Sequence, residues 1–201
     1  LFRSLELNMR QKIAELKKQL ILEEASQQFD QMSYESVSVS SIAKAAGVSI
    51  GTIYGLFENK EGLFKAYIYQ EIESAYTIIS EQLQNVNDPK EKLYLMTLFH
   101  FDHLRQKSEH IKESFHVAPL FDRKLTYQVD SPIHKFIELI ASILEECHNK
   151  RPFVIEDFLQ LAYVYVSIKD SYIERWIFEE IELDNSKVDE ILNLFFKGAL
   201  K

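Results

Sequence analysis

Apolar residues recur at spacings of three and four along nearly the whole chain, without the strict alternation between Gly-rich turns that marks strands. That period predicts helix almost throughout. A first helix is expected over roughly 10–32, with Ile13, Leu16, Leu20, Ala25 and Phe29 along one side. Two short helices come next at about 39–46 and 50–56, then a long one from Lys60 to about Gln84. Asn87-Asp88-Pro89 breaks the pattern, because Pro lacks the amide needed to continue and Asp can cap the next helix. Further helices are expected near 89–106, 108–116 and 132–148, with an irregular stretch from Val117 to Ser131 marked by Pro119 and Pro132. Pro152 sits where a first helical turn tolerates it and is expected to open a helix to about Glu180. Asp184-Asn185-Ser186 caps a last helix to about Ala199. The expectation is an all-α chain of about nine helices: a head at 1–60, whose first 16 residues are an extension, and a body at 61–201.

Composition narrows this picture. With 46% hydrophobic residues the chain can bury a real core, so disorder is not the default. Apolar runs such as Leu161–Val166 are too short to span a bilayer, and no charged-then-apolar signal peptide opens the sequence. The single Cys147 cannot form an internal disulfide, which fits a cytoplasmic protein, and the opening Leu1 leaves room for a start upstream. A net charge of -8 argues on its face against nucleic acid. Its distribution matters, however: residues 1–60 hold seven basic and seven acidic side chains, so the whole excess sits in the body. A neutral head permits a DNA-facing end without by itself suggesting one.

The informative segment runs from Ser38 to Phe57. Ser38 is placed to accept an amide hydrogen bond and start the first short helix. Ile42 and Ala43 give that helix a buried side, and Ala46 is small enough for a close crossing. Gly47 comes after the last turn, where a left-handed backbone is cheap only for Gly. Val48 plugs the corner, Ser49 caps the next helix with Thr52 three residues on, and Ile53 and Leu56/Phe57 turn inward. Ile50, Gly51, Thr52, Tyr54 and Gly55 are left outside, a face without charge. A short capped helix exposing Thr, Tyr and two Gly suits close approach to a phosphate backbone and a groove floor. The plain alternative is an ordinary helical hairpin, in which Gly51 and Gly55 are accidents.

The residues Ile21-Leu22 through Ala25 to Phe29, then Tyr34–Val39, the hairpin, and Phe57-Glu-Asn-Lys-Glu-Gly-Leu-Phe64 resemble the TetR family of bacterial regulators over about residues 20–66. Beyond that span the likeness is helix count and a Phe195–Leu200 ending. The resemblance implies an N-terminal three-helix helix-turn-helix DNA-binding domain and a C-terminal helical ligand-binding and dimerisation domain. The partners implied are double-stranded operator DNA, a second copy of the chain through the last two helices, and a small-molecule effector. Position by position, Thr52, Tyr54 and Lys60 match phosphate-contacting residues, and Ser38 matches a cap that can also meet the backbone. The DNA-facing set is therefore Ser38, Ser40, Ser49, Ile50, Gly51, Thr52, Tyr54, Gly55 and Lys60. Ser40 and Ile50 stand where the family often has a basic residue, and Ser33 where a Gly usually ends the first helix. Arg10, Lys12, Lys17 and Lys18 form a basic run that either reaches adjacent phosphates or is a solvated extension balanced by Glu6 and Glu15.

Residues 89–201 hold ten Phe, five Tyr and the only Trp. The resemblance implies a ligand cavity here, whose occupancy shifts the DNA heads. Candidates to face it are Phe99, His103, Phe115, Phe121, Phe136, Tyr163 and Ser167, a mixture that favours an apolar or aromatic effector. Each has a core or interface role as its plain alternative. His100 and His103 lie three apart around Asp102, but two His without a third convergent ligand make a weak metal site. No cofactor, metal or catalytic residue is expected. A regulator of the same fold without a small-molecule switch remains open, and an all-helical enzyme is the rival from another class.

Overall fold

The computed structural model describes residues 2–106, 131–179 and 181–199. Among the described residues there are eight helices and no strand: α1 (Phe2–Phe29), α2 (Val39–Ala45), α3 (Ile50–Phe57), α4 (Lys60–Leu83), α5 (Pro89–Gln106), α6 (Pro132–Lys150), α7 (Phe158–Phe178) and α8 (Asn185–Ala199). The helix expected at 108–116, with Phe115 and Phe121, lies outside the described residues. No single described helix is long and apolar enough to cross a membrane. Contacts gather the described residues into two compact units that divide within α4, after Glu71.

In the first unit, the later half of α1 packs with α2, α3 and the start of α4 around Ile21, Ala25, Ile42, Ile53 and Leu63, each fully buried. Phe29 sets its ring edge-on to Phe64 at 4.8 Å, and Tyr67 donates its hydroxyl to Asp30 Oδ1 at 2.7 Å. Ser41 Oγ ties α2 to α1 by donating to Gln28 Oε1 at 2.8 Å. Two expectations about α1 are corrected. It begins at Phe2 and ends at Phe29, rather than spanning 10–32. Ile13, Leu16 and Leu20 do not share a side with Ala25 and Phe29: they are 48%, 59% and 50% exposed. At about 100° per residue the two sets stand roughly half a turn apart, so only the second can enter the core. Ser33 needs no left-handed backbone to end the turn after α1, since among the described residues the positive-φ ones are Gly47 and Glu58.

In the second unit α6, α7, α5 and α8 pack on one another through Ile137, Ile140 and Leu144 of α6, Leu161, Tyr165 and Ile173 of α7, and Val188, Ile191 and Phe195 of α8. Ser131 caps α6 through Ile133 N at 3.2 Å, and Pro132 occupies the first helical position, where no amide is missed. Pro152 does not open α7. The helix starts at Phe158, and Asp157 is its cap, accepting from Gln160 N at 2.9 Å. The reason is Phe153, which is fully buried beside Phe195 and Phe196 and donates its amide to His148 Nδ1 at 3.2 Å. Holding that ring in the core keeps the chain out of helix until it has passed. Asp184 caps α8 as expected, through Lys187 N at 3.2 Å. Of the apolar side of α8, Val188, Ile191, Phe195 and Phe196 are buried within the chain and Leu192 is half-buried.

Candidate nucleic-acid interface

Local chemistry sets the α2–α3 corner. Ser38 Oγ accepts from Ser41 N at 3.1 Å and lies 3.0 Å from Ser40 Oγ. Gly47 takes φ +65°, and Val48 N then returns to the Ala43 carbonyl at 2.9 Å, satisfying a helix-end acceptor. The two helix axes turn through 108°. Ser49 Oγ accepts from Thr52 N at 3.0 Å and meets Thr52 Oγ1 at 2.9 Å. When Ser49 donates across that contact, the Thr52 proton is left for an outside acceptor.

The inward side of α3 is Ile53 and Phe57, both buried, with Leu56 half-buried. Ile50, Gly51, Tyr54 and Gly55 are exposed and Thr52 is half-buried, so the expected outer face is assembled. No acidic residue lies between Ser36 and Phe57. Lys60 is half-buried at the start of α4. Its Nζ donates to the Glu35 carbonyl at 3.4 Å and sits 4.4 Å from the Tyr34 ring centroid. Burial lowers its basicity, and Glu35 works against that.

Four glycines between 47 and 62 sort into two kinds. Gly47 supplies a left-handed turn, and a Cβ on Gly62 would lie 2.0 Å from the Phe57 carbonyl oxygen, so both are needed inside the protein. Gly51 and Gly55 have ordinary helical backbones. A Cβ at Gly55 would meet nothing within 4 Å, and one at Gly51 only Ser49 Oγ at 3.7 Å. Each costs a helix about 0.5–1 kcal/mol relative to Ala, in a helix of eight residues. Among the described residues no contact accounts for either.

The expected effector residues are less unified. Tyr163 and Ser167 line an open depression of about 420 Å³ on one face of α7, with Gln160, Val164, Ile168 and Ser171. Phe136 sets its ring edge against Tyr76 at 5.4 Å, and Tyr163 Oη approaches His134 Nδ1 at 3.5 Å. Phe99 and His103 are half-buried on α5 and do not line that depression. Sequence reasoning missed a different pair: Lys169 Nζ donates to His100 Nδ1 at 2.8 Å. Periodicity puts each on the inward row of its own helix, α5 or α7, but nothing local pairs the two. Among the described residues no three His, Cys, Asp or Glu side chains are grouped to hold a metal.

Residues 21–67 match the family described as bacterial regulatory proteins, tetR family. Among curated proteins the chain is similar to an uncharacterized helix-turn-helix transcriptional regulator of Mycobacterium tuberculosis, 35% identical over 79 residues, 39% of each chain. It is also similar to the fatty acid metabolism regulator protein of Bacillus subtilis, 33% identical over 81 residues, 40% of this chain and 42% of that one. The matches thus span about two fifths of the length of these relatives. Among solved structures it shares its fold with Thermus thermophilus FadR, a TetR-family transcriptional repressor in complex with lauroyl-CoA. There the TM-score is 0.71 at 19% identity, over 92% of this chain and 95% of that one.

Proposed function

We propose that this chain, whose residues 21–67 place its head in the tetR family, is a DNA-binding transcriptional repressor that grips a palindromic operator as a dimer and is released by a small, largely apolar effector. The observation that carries the DNA reading is the pair Gly51 and Gly55, which no contact among the described residues requires and which leave the outer face of α3 clear for a groove floor. Thr52 and Tyr54 flank that clearing with hydroxyls for phosphate oxygens. Ser38, Ser40 and Ser49 offer hydroxyls or amides at the helix starts, and Lys60 offers a cation. The relatives and fold neighbours named are regulators, and the reading is of a non-enzyme that works where the DNA is, in the cytoplasm.

Dimerisation is supported by the outer face of α7. Val164 is exposed beside half-buried Ile168, and on α8 Leu194 is exposed. A two-fold pair then presents two α3 helices to half-sites about one turn or more apart. For the effector, the lauroyl-CoA of the Thermus structure makes a long alkyl chain the favoured apolar part. Such a ligand releases DNA only if it prefers the DNA-incompetent state, since equal affinity for both shifts nothing.

The test is selection of bound duplexes from a genomic library by the full chain, and then anisotropy titration of the best site with and without acyl ligands. A palindrome recovered with salt-sensitive affinity supports the reading. Recovery of no preferred sequence overturns it. A palindrome whose affinity no acyl ligand changes leaves a regulator without this switch.

A further inference from the structure

α1 begins well before the core of the head does. From Met9 to Lys17 every side chain is exposed, on all sides of the helix, and the first buried ones among the described residues are Ile21 and Leu22. A helical stretch exposed all round is marginal in water, because most helical stability in proteins comes from burying one face. This stretch has a face to bury. Met9, Ile13, Leu16 and Leu20 follow one another at spacings of four, three and four, and each is between 48% and 63% exposed. At about 100° per residue they fall within an arc of roughly 60°. That is the narrow seam of a coiled coil, with Ile13 and Leu20 at a and Met9 and Leu16 at d, rather than the wider stripe of a helix lying on a core.

The charges beside the seam are of one sign. Arg10 and Lys17 flank it at the e positions and Lys12 at g, whereas the one acid between Met9 and Leu20, Glu15, lies on the far side. That pattern selects among occupants. In a parallel pair of these helices Lys12 of one copy would face Lys17 of the other, and an antiparallel pair would again set e against e. Either way basic meets basic, which disfavours a second copy. Residues 107–130 of the chain, outside the described ones, hold four basic and four acidic side chains and offer no net complement. A phosphate backbone would use the cations and leave four apolar side chains in water. A lipid surface takes a broader apolar face, rich in Trp, Phe and Leu, and this stretch has no aromatic residue.

We propose that the first part of α1 is a docking helix for another protein, and that it pairs through Met9, Ile13, Leu16 and Leu20 with an acidic amphipathic helix. Apolar side chains at a and d of that partner close the seam, and carboxylates at its e and g positions meet Arg10, Lys12 and Lys17. The surface is separate from α3 and from the second unit, so it stands or falls independently of the operator and the effector.

The experiment is anisotropy titration of the full chain against two labelled synthetic helices of about three heptads, both with Leu and Ile at a and d. One carries Glu at every e and g position, the other Lys. The parent should bind the Glu helix tenfold or more tighter than the Lys helix, and less tightly as salt rises. Leu16→Glu should lose that binding while keeping its helical signal and melting temperature, since the side chain it replaces is exposed. The triple variant Arg10→Glu, Lys12→Glu, Lys17→Glu should reverse the preference. No binding of the Glu helix, equal binding of both helices, or undiminished binding by Leu16→Glu overturns the proposal. If the triple variant keeps the preference and loses only operator affinity, the basic run belongs to phosphate and the proposal falls. Two further measurements can also overturn it. Co-sedimentation with vesicles of phosphatidylglycerol and phosphatidylcholine that Leu16→Glu abolishes, without a peptide preference, gives the seam to a membrane. A smaller assembly of Leu16→Glu by light scattering gives it to a second copy.

Discussion

Lys60 Nζ lies over the ring of Tyr34, 4.4 Å from its centroid, at the junction where α4 follows α3. The contact joins residues 26 apart and holds a long cation in one place. Lys60→Ala should weaken operator binding and reduce the slope of log affinity against log salt by about 0.9, the value of one released counter-ion. Tyr34→Leu keeps the charge but not its placement, so affinity should fall while the slope stays. Titrations at several salt concentrations separate the two.

Removing a hydroxyl from α3 should act on DNA and on little else. Thr52→Ala and Tyr54→Phe each delete a hydrogen bond expected at a charged phosphate, worth about 1.5–3 kcal/mol. Ser49 still caps the helix through the Thr52 amide, so helicity should persist in Thr52→Ala. Circular dichroism beside operator titration checks both halves. Unchanged affinity in both variants would remove α3 from the interface.

The glycines predict opposite signs. Gly62→Ala places a Cβ on the Phe57 carbonyl oxygen, and this overpacking should cost about 1–3 kcal/mol in chemical denaturation. Gly51→Ala meets only Ser49 Oγ at an ordinary 3.7 Å and Gly55→Ala meets open space, so each should stabilise the head by about 0.5–1 kcal/mol. If α3 enters a groove, the same two changes weaken operator binding. A gain in stability with unchanged DNA affinity would return Gly51 and Gly55 to accident.

Along α1, position decides the effect of truncation. Ile13→Ala and Leu16→Ala alter exposed side chains and should stay within about 0.5 kcal/mol of the parent. Ile21→Ala empties a fully buried site and should cost about 2–5 kcal/mol. Denaturant midpoints measure all three.

Val164→Glu places a charge on the outward face of α7 without entering the core. Light scattering should then report a shift from dimer to monomer at micromolar concentration with the helical signal retained. Operator affinity should fall steeply, since one head cannot hold two half-sites. A dimer of undiminished stability would move the interface elsewhere.

Local features are legible in the amino-acid order alone. Ser38 and Ser49 cap, Gly47 turns left-handed, and Ile42, Ile53 and Phe57 bury, because each depends on neighbours within a few residues and on a period of 3.6. Those short-range rules, with the uncharged outer face of α3, make the head and its candidate interface legible. Tertiary structure decided the rest. Periodicity shows two apolar sides on α7 but places Leu161 with Val164 and Ile168; packing against α5 and α6 puts Leu161 inward and leaves Val164 out. On α1 the period alone separates Ile13, Leu16 and Leu20 from Ala25 and Phe29 by half a turn, and packing decides that the second set is the buried one. Pro152 looks like a helix start, but the buried destination of Phe153 delays α7 to Phe158. The 2.0 Å approach at Gly62 and the meeting of His100 with Lys169, 69 residues apart, belong to no local pattern. A one-dimensional period says which side chains share a face, whereas the neighbour each face meets is fixed only when whole helices compete for the same buried volume.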